Sequence, residues 1–316
     1  MKRRYFLTAV LTLALLAGCG QGDGAAGASP DPAEADGGVR TSEGAEETLL
    51  VACETPAYVT CRIADGAETG DLLLAELDYT LYGGHDGSHD GKSVYRLTVG
   101  DNIPVYLDGE EASAADLRDG MPVEIAFNGA MAETFPAQLG EVYSLSACSV
   151  GTRQSPGGSF YDLCGFYLRV LDDLWNVDSG LNSRISTAGL DLSRAPGDLL
   201  DSEKAAIAWR FGELHDVEVV TGTFDELAEQ GCFTRVASGK VPEGGENPIY
   251  EWEDGCLFSI MASDGHEGEM YSLPVLFFDA QKWRSGTGAY YFCGCSAVWP
   301  ESGTWSGYTV GSEAIS

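Results

Sequence analysis

The segment 84–91 reads Gly-His-Asp-Gly-Ser-His-Asp-Gly and holds two of the chain's four histidines. Imidazole and carboxylate groups together bind Zn²⁺ and other divalent ions, which makes His85, Asp86, His89 and Asp90 candidate metal ligands. A stable site needs three or four ligands held by rigid elements and by a second shell of contacts. Asp and Gly also satisfy turn geometry, so the alternative is a solvated hairpin tip. We therefore assign no metal and no cofactor to the chain.

A second candidate is the basic pair that flanks a tryptophan, Lys282-Trp283-Arg284, next to the glycine-rich run 285–288. In a very acidic protein, two cations beside an aromatic ring in a glycine-rich loop could bind an anion or a peptide carboxylate. The alternative is that they pair with neighbouring acids in a surface network. Both interpretations stay open at the level of sequence.

Cysteine is the third residue type with possible chemistry, and eight of the nine cysteines follow Cys19. An even number in an exported chain indicates disulfides, and Cys53 with Cys61 is the simplest candidate pair. Buried free thiols are the alternative. Cys293 and Cys295 lie two apart on a predicted strand, so we expect both on one face. There they could bind a soft metal or simply pack in the core.

Named catalytic motifs are absent from the sequence. It contains no G-x-S-x-G, no H-E-x-x-H, no Walker loop, no EF-hand loop and no paired C-x-x-C. The remaining histidines, His215 and His266, have no partner that the sequence makes visible. These absences favour a non-enzymatic protein.

The amino terminus indicates export. Three basic residues, Lys2, Arg3 and Arg4, precede a short apolar run over 6–16, which ends in Leu16-Ala17-Gly18-Cys19. This layout is typical of a secretory signal, and the apolar run is too short to span a bilayer, which takes roughly 20 residues. The last four residues resemble the lipobox of bacterial lipoproteins. The resemblance implies cleavage before Cys19, lipid on its thiol and anchoring at the outer face of the cell membrane; the alternative is an ordinary signal with a coincidental cysteine.

The segment 19–48 is rich in Gly, Ala, Asp, Glu and Pro and has no aromatic residue. Such a composition buries too little apolar surface to offset chain entropy, which predicts a disordered acidic tether. The whole chain has a net charge of −31, and loss of the three basic residues with segment 1–18 makes it −34. This charge argues against nucleic-acid binding and against lying flat on anionic lipid. A solvated acidic surface explains it, and cations or basic proteins are the compatible partners.

The residues 49–150 alternate short apolar runs with turn residues, which predicts a small β-rich domain, OB-like and partly open as a barrel. The pairs Asp108-Gly109 and Asn128-Gly129 predict tight hairpin turns. Residues from about 94 to 147 resemble a small β domain of unknown function found in Gram-positive lipoproteins, through Gly120, Val123, Ile125 and the run Phe135-Pro136-Ala137-Gln138. That resemblance implies the β fold and no activity.

The residues 151–316 predict an α+β domain, with helices first and an antiparallel sheet later. Apolar spacing predicts a helix from Phe160 to Trp175 with Ser159 as its cap, and a second helix over DSEKAAIAWRFGELH. Thr223 with Glu226 forms a capping-box pattern. This half resembles only uncharacterised lipoproteins, which implies no activity.

The sequence thus predicts a signal peptide over 1–18, a tether over 19–48 and two domains over 49–150 and 151–316. The function it favours is a lipid-anchored extracytoplasmic binding or scaffold module of the cell envelope. One alternative is an envelope-acting hydrolase or transferase with a site of scattered Asp, Glu and His. The other is a divalent-metal-binding lipoprotein.

Overall fold

The computed structural model describes residues 55–78, 93–149, 162–240, 246–263, 275–298, 305 and 307–316. Outside these residues lie the predicted signal peptide and tether over 1–48, Cys53, and the candidate metal ligands His85, Asp86, His89 and Asp90. Contacts group Cys53–Ser316 into one compact unit, and its structure is rich in β-strands. No helix in the described part of the chain is long and apolar enough to cross a membrane.

The first sheet has nine strands, and the apolar runs of the sequence form its centre. Their order in the sheet is β5-β4-β9-β6-β1-β2-β3-β8-β7. In chain order they are β1 (Ala57–Asp65), β2 (Asp71–Glu76), β3 (Val94–Thr98), β4 (Val105–Leu107), β5 (Glu110–Ala112), β6 (Pro122–Phe127), β7 (Met131–Ala132), β8 (Ala137–Leu139) and β9 (Val142–Ala147).

The two predicted hairpin turns of this sheet have different outcomes. Asp108 and Gly109 both have positive φ, 52° and 87°, and they join β4 to β5 as predicted. The prediction of a hairpin at Asn128-Gly129 is wrong. The strand before this pair, β6, pairs with β1 and β9 and not with β7, the strand that follows it. The Asn128 side chain instead accepts a hydrogen bond from the Ala130 amide at 3.0 Å, which directs the chain into β7.

In the described part of the chain three α-helices follow: α1 (Leu163–Asn176), α2 (Asp201–His215) and α3 (Phe224–Glu229). The predicted bounds of α2 are confirmed, and so is the Thr223 cap of α3. In the described residues α1 begins after Asp162, and the predicted cap, Ser159, lies outside them.

The second sheet has eight strands, with the order β11-β10-β14-β15-β13-β12 and with β16 and β17 continuing from β15. They are β10 (Thr187–Arg194), β11 (Glu218–Thr221), β12 (Thr234–Lys240), β13 (Glu246–Glu251), β14 (Gly255–Ala262), β15 (Val275–Ser285), β16 (Gly288–Val298) and β17 (Ser312–Ile315).

This sheet is mixed, which corrects the prediction of an antiparallel sheet that comes after the helices. β10 pairs in parallel with both β11 and β14. Parallel neighbours need a crossover connection, and α2 supplies the one between β10 and β11. Two of the three helices therefore lie between strands of the sheet in chain order.

The helices α1 and α2 lie between the two sheets. One core cluster combines Ala64, Leu73 and Val94 of the first sheet with Phe211 of α2 and Phe258 of the second. The opposite face of the first sheet has its own core, which contains Cys61, Ile63 and Val123. The order of layers is therefore sheet, helices, sheet, and α2 contacts both sheets.

Candidate functional site

A groove of about 860 Å³ runs between α2, the carboxyl-terminal half of β10 and the length of β11, from Asp216 before that strand to Thr223 after it. The crossover helix and the two parallel strands create it, because α2 returns alongside the strands that it connects. The volume of the groove lies within the range of about 300–1,000 Å³ that is typical of small-molecule sites.

Apolar side chains cover part of the groove surface. Helix α2 contributes residues that recur every three or four positions and so share one face, among them Ala205, Ala208 and Trp209. Leu190 and Leu192 contribute from β10. The opposite face of α2 contains the fully buried Ile207 and Phe211. The buried face thereby fixes which residues α2 turns toward the groove.

Acidic side chains outnumber basic ones in the groove. Six carboxylates line it against a single lysine, an excess of five negative charges; these are Asp191, Asp201, Glu213, Asp216, Glu218 and Glu226, with Lys204. Two of these carboxylates form salt bridges. The Lys204 ammonium lies 3.6 Å from Asp201 Oδ1, and the Arg210 guanidinium lies 3.2 Å from Glu213 Oε2. Within the described residues, Asp191, Asp216, Glu218 and Glu226 have no salt bridge to a basic side chain, so their charge is not locally neutralised.

Glu226, in the first turn of α3, is held in its charged form by the residue that caps this helix. Its carboxylate accepts hydrogen bonds from the backbone amide of Thr223 at 2.8 Å and from the Thr223 hydroxyl at 3.0 Å. These bonds lower the pKa of Glu226. The capping box that ends the turn after β11 thus also keeps a negative charge at the edge of the groove.

A smaller cavity of about 240 Å³ adjoins the groove, and Trp209 and Glu213 line both. Arg96 lines only the smaller one, where its guanidinium carbon lies 5.7 Å from the centre of the Trp209 ring. Asp71 forms a salt bridge with Arg96, and this bond lowers the pKa of Asp71. The positive charge beside Trp209 is therefore already paired.

Phe135 reaches the groove from the first sheet. It lies in the turn between β7 and β8, is 64% exposed and belongs to the residues that line the groove. The sequence had offered Phe135 only as part of a fold motif. Its place at the groove depends on contacts between segments far apart in the chain, which no local pattern predicts.

A buried set of ionisable groups lies away from the groove, where β1, α1 and α2 meet. Burial, with a further contribution from the Asp119 carboxylate, raises the pKa of Asp162 to about 7. Burial also raises the pKa of Asp119, which accepts a hydrogen bond from the Ala67 amide at 3.0 Å. Asp162 lines neither cavity and precedes the first residue of α1. We interpret both carboxyls as parts of the fold.

The predicted ligand residues at 282–284 lie inside β15, which corrects their placement in a loop. Lys282 is fully buried, and its ammonium donates to the carbonyls of Trp175 and Val177 at the end of α1 and to Asn182 Oδ1 at 2.8 Å. Burial lowers the pKa of Lys282. The ammonium of Lys282 therefore donates to acceptors within the protein and is part of the fold.

The other two members of that triplet also serve the fold. Arg284 donates to four backbone carbonyls, those of Leu181, Ser183, Trp252 and Glu253. Trp283 packs against Phe224 and Phe233, with ring centres 4.9 and 5.1 Å away. The contacts of Lys282 and Arg284 are thus mainly with backbone carbonyls, and not with the surface acids that the alternative interpretation envisaged.

The prediction that Cys293 and Cys295 share a face is wrong. Gly294 has a φ of +61° and the register of β16 shifts against β15 between Phe278 and Ala280, which is a β-bulge. An inserted residue reverses the alternation of side chains. Phe292 and Cys295 therefore both enter the core, whereas Cys293 is half-buried. The Asp279 carboxylate stabilises the bulge by accepting from the Gly294 amide at 2.6 Å.

The remaining sequence candidates have these positions. Cys61 is a free thiol buried in the core of the first sheet, which gives no support to a bond with Cys53, itself outside the described residues. His215 stacks on Trp175, with ring centres 4.1 Å apart, and burial lowers its pKa.

In the part of the chain that the structure describes, no three His, Cys, Asp or Glu side chains are grouped to hold a metal ion. His85, Asp86, His89, Asp90 and His266 lie outside that part.

Comparisons with known proteins give no relative for this chain. No protein-family model, curated protein or solved structure matches it.

Proposed function

We propose that this chain is a lipid-anchored extracytoplasmic protein whose body is a non-enzymatic binding module, and that its groove takes a cationic ligand. The observation that carries the proposal is the excess of five negative charges around a groove of about 860 Å³ with apolar walls. The Leu16–Cys19 motif and the acidic tether support the anchored location. We also propose that the first sheet belongs to the OB-like, partly open barrels and that the second half is an α+β domain.

Electrostatics supports a cation over an anion or a neutral ligand. When carboxylates line a cleft, the cleft focuses their electric field, and this field raises the local concentration of positive ions. Asp216 and Glu218 contribute without a salt bridge to a basic side chain of the described residues. A bound cation would be attracted by each of these carboxylates, and the attractions add.

The experiment is calorimetric titration of the mature protein with spermidine at low ionic strength. We expect the double variant Asp216→Asn/Glu218→Gln to bind at least about tenfold more weakly, which corresponds to the loss of about 1.4 kcal/mol of binding free energy. The control is Asp225→Asn/Glu229→Gln, which removes two exposed charges of α3 that do not line the groove. Equal affinity of the two variants would assign the binding to the general acidity of the protein and refute the proposal.

A further inference from the structure

We infer that the ligand of the groove is a small organic ammonium ion with an alkyl or aryl body, held between the rings of Trp209 and Phe135. This inference rests on the proposed function and narrows its ligand to one chemical class. The two aromatic residues come from different layers, Trp209 from α2 and Phe135 from the β7–β8 turn. Both line the groove that the carboxylates surround.

The aromatic side chains favour an organic ammonium ion over a metal ion as the ligand of the groove. The face of an aromatic ring attracts ammonium and quaternary ammonium groups within about 6 Å of its centre. A hydrated Mg²⁺ or Ca²⁺ ion prefers oxygen ligands and gains nothing from apolar walls. Leu190, Leu192 and Ala208 give the groove such walls, which an alkyl or aryl body would cover.

The position of Arg96 strengthens the assignment of Trp209. Arg96 lies over this ring from the smaller cavity, so the indole already takes part in one cation–π contact. Because Asp71 pairs with Arg96, that guanidinium adds little repulsion against a second cation on the groove side. Trp209 lines the groove as well, so a ligand there can contact it.

The size of the groove favours a small molecule over a basic protein segment. Its volume of about 860 Å³ lies in the range of small-molecule sites, and the exposed Phe135 stands at its side as a wall that a ligand would cover. Charge complementarity alone would also admit a lysine-rich peptide. The test must therefore distinguish binding of a small ammonium ion from binding of a lysine-rich peptide.

The test titrates the mature protein with three ammonium ions: choline, tetramethylammonium and phenethylammonium. 3,3-Dimethylbutan-1-ol is the matched neutral control, because it has the shape of choline without the charge. We expect at least one of the three ions to bind, and its affinity to fall about three- to thirtyfold in Phe135→Leu and in Trp209→Leu. Phe135 is exposed, so its variant keeps the test valid even if Trp209→Leu does not fold. Tyr143→Leu, an exposed aromatic outside the groove, is the control and should bind like the wild type.

Each remaining outcome overturns the inference in a recognisable way. Unchanged ammonium binding in both aromatic variants, with loss in Asp216→Asn/Glu218→Gln, leaves the cation groove intact and refutes the aromatic part. Binding of oligolysine but of none of the three ammonium ions makes the ligand a basic chain. Equal binding of the neutral alcohol refutes the charge argument, and binding of no cation at all refutes the proposed function as well.

Discussion

The guanidinium of Arg62, on β1, donates through Nε to the carboxylate of Glu203, on α2, at 2.7 Å, and both side chains are fully buried. Glu203 also accepts from the Leu200 amide at 2.9 Å, so one carboxylate caps α2 and pairs with the first sheet. Nearby, the Ser202 hydroxyl donates to the Glu76 carbonyl at 2.6 Å. These bonds attach the first turn of α2 to the first sheet and so fix where the groove face of the helix points.

We expect Glu203→Ala to lower the free energy of unfolding by about 3–5 kcal/mol, because it removes one partner of a fully buried ion pair. Urea denaturation monitored by tryptophan fluorescence gives the value.

The control for that prediction is Lys204→Ala on the same helical turn. Lys204 pairs with Asp201, and their side chains are 33% and 70% exposed, so its loss should cost less than about 1 kcal/mol. Equal costs for the two variants would contradict the role of the Arg62–Glu203 pair.

Gly255 is a position where added volume should be harmful. A Cβ atom there would lie 2.0 Å from Cε2 of Trp252, whose ring is 3% exposed and packed with Leu227 and Phe233. We expect Gly255→Ala to destabilise the protein by about 1–3 kcal/mol through overpacking, as measured by thermal unfolding. Gly180→Ala is the matched control, since its nearest neighbour would be 3.7 Å away, and it should change stability by less than about 0.5 kcal/mol.

Asp162 should make stability depend on pH. Burial raises its pKa from 3.8 to about 7, so between these values the folded state binds its proton more tightly than the unfolded state does. This carboxyl therefore destabilises the fold progressively as the pH rises from about 4 to about 7, with a slope of at most about 1.4 kcal/mol per pH unit. Asp162→Asn should remove that part of the slope, which urea midpoints at intervals of pH would reveal.

The control for this pH effect is Asp71→Asn. The salt bridge with Arg96 lowers the pKa of Asp71, so its stabilising contribution is complete above its ordinary pKa of 3.8 and is lost only as the pH falls further. The difference between Asp71→Asn and the wild type should therefore stay constant from pH 5 to 7. If Asp162→Asn behaves in the same way, the assignment of a raised pKa to Asp162 is wrong.

The anchor has a test that is independent of the fold. We expect Cys19→Ser to abolish labelling by palmitate and to leave the precursor uncut, because no other thiol follows the Leu16-Ala17-Gly18 sequence. Cys53→Ser is the control and should be labelled and cut normally. Unchanged labelling of Cys19→Ser in whole cells would refute lipidation at that residue.

Local patterns predicted most of the individual elements. The bounds of α2, the turn at Asp108-Gly109 and the Thr223 capping box follow from contacts within a few residues, which helix periodicity, positive φ and capping chemistry report directly. The bulge at Gly294 escaped prediction because a single inserted residue reverses a strand's faces without changing its composition. The loop assigned to Lys282 and Arg284 was wrong because buried cations that bind helix-end carbonyls look the same in sequence as exposed ones.

The sequence by itself predicts an export signal and resembles a lipobox, and it determined the acidic charge and the β-rich character of the chain, since each is a property of composition or of neighbouring residues. Only the tertiary structure decided the groove. Asp191, Trp209 and Glu226 belong to three different elements, and Phe135 belongs to the other sheet. What brings them together is the parallel pairing of β10 with β11 and the buried Arg62–Glu203 bond between residues 141 positions apart. Contacts of that range are set by packing of the whole chain, and for this reason no local pattern contained them.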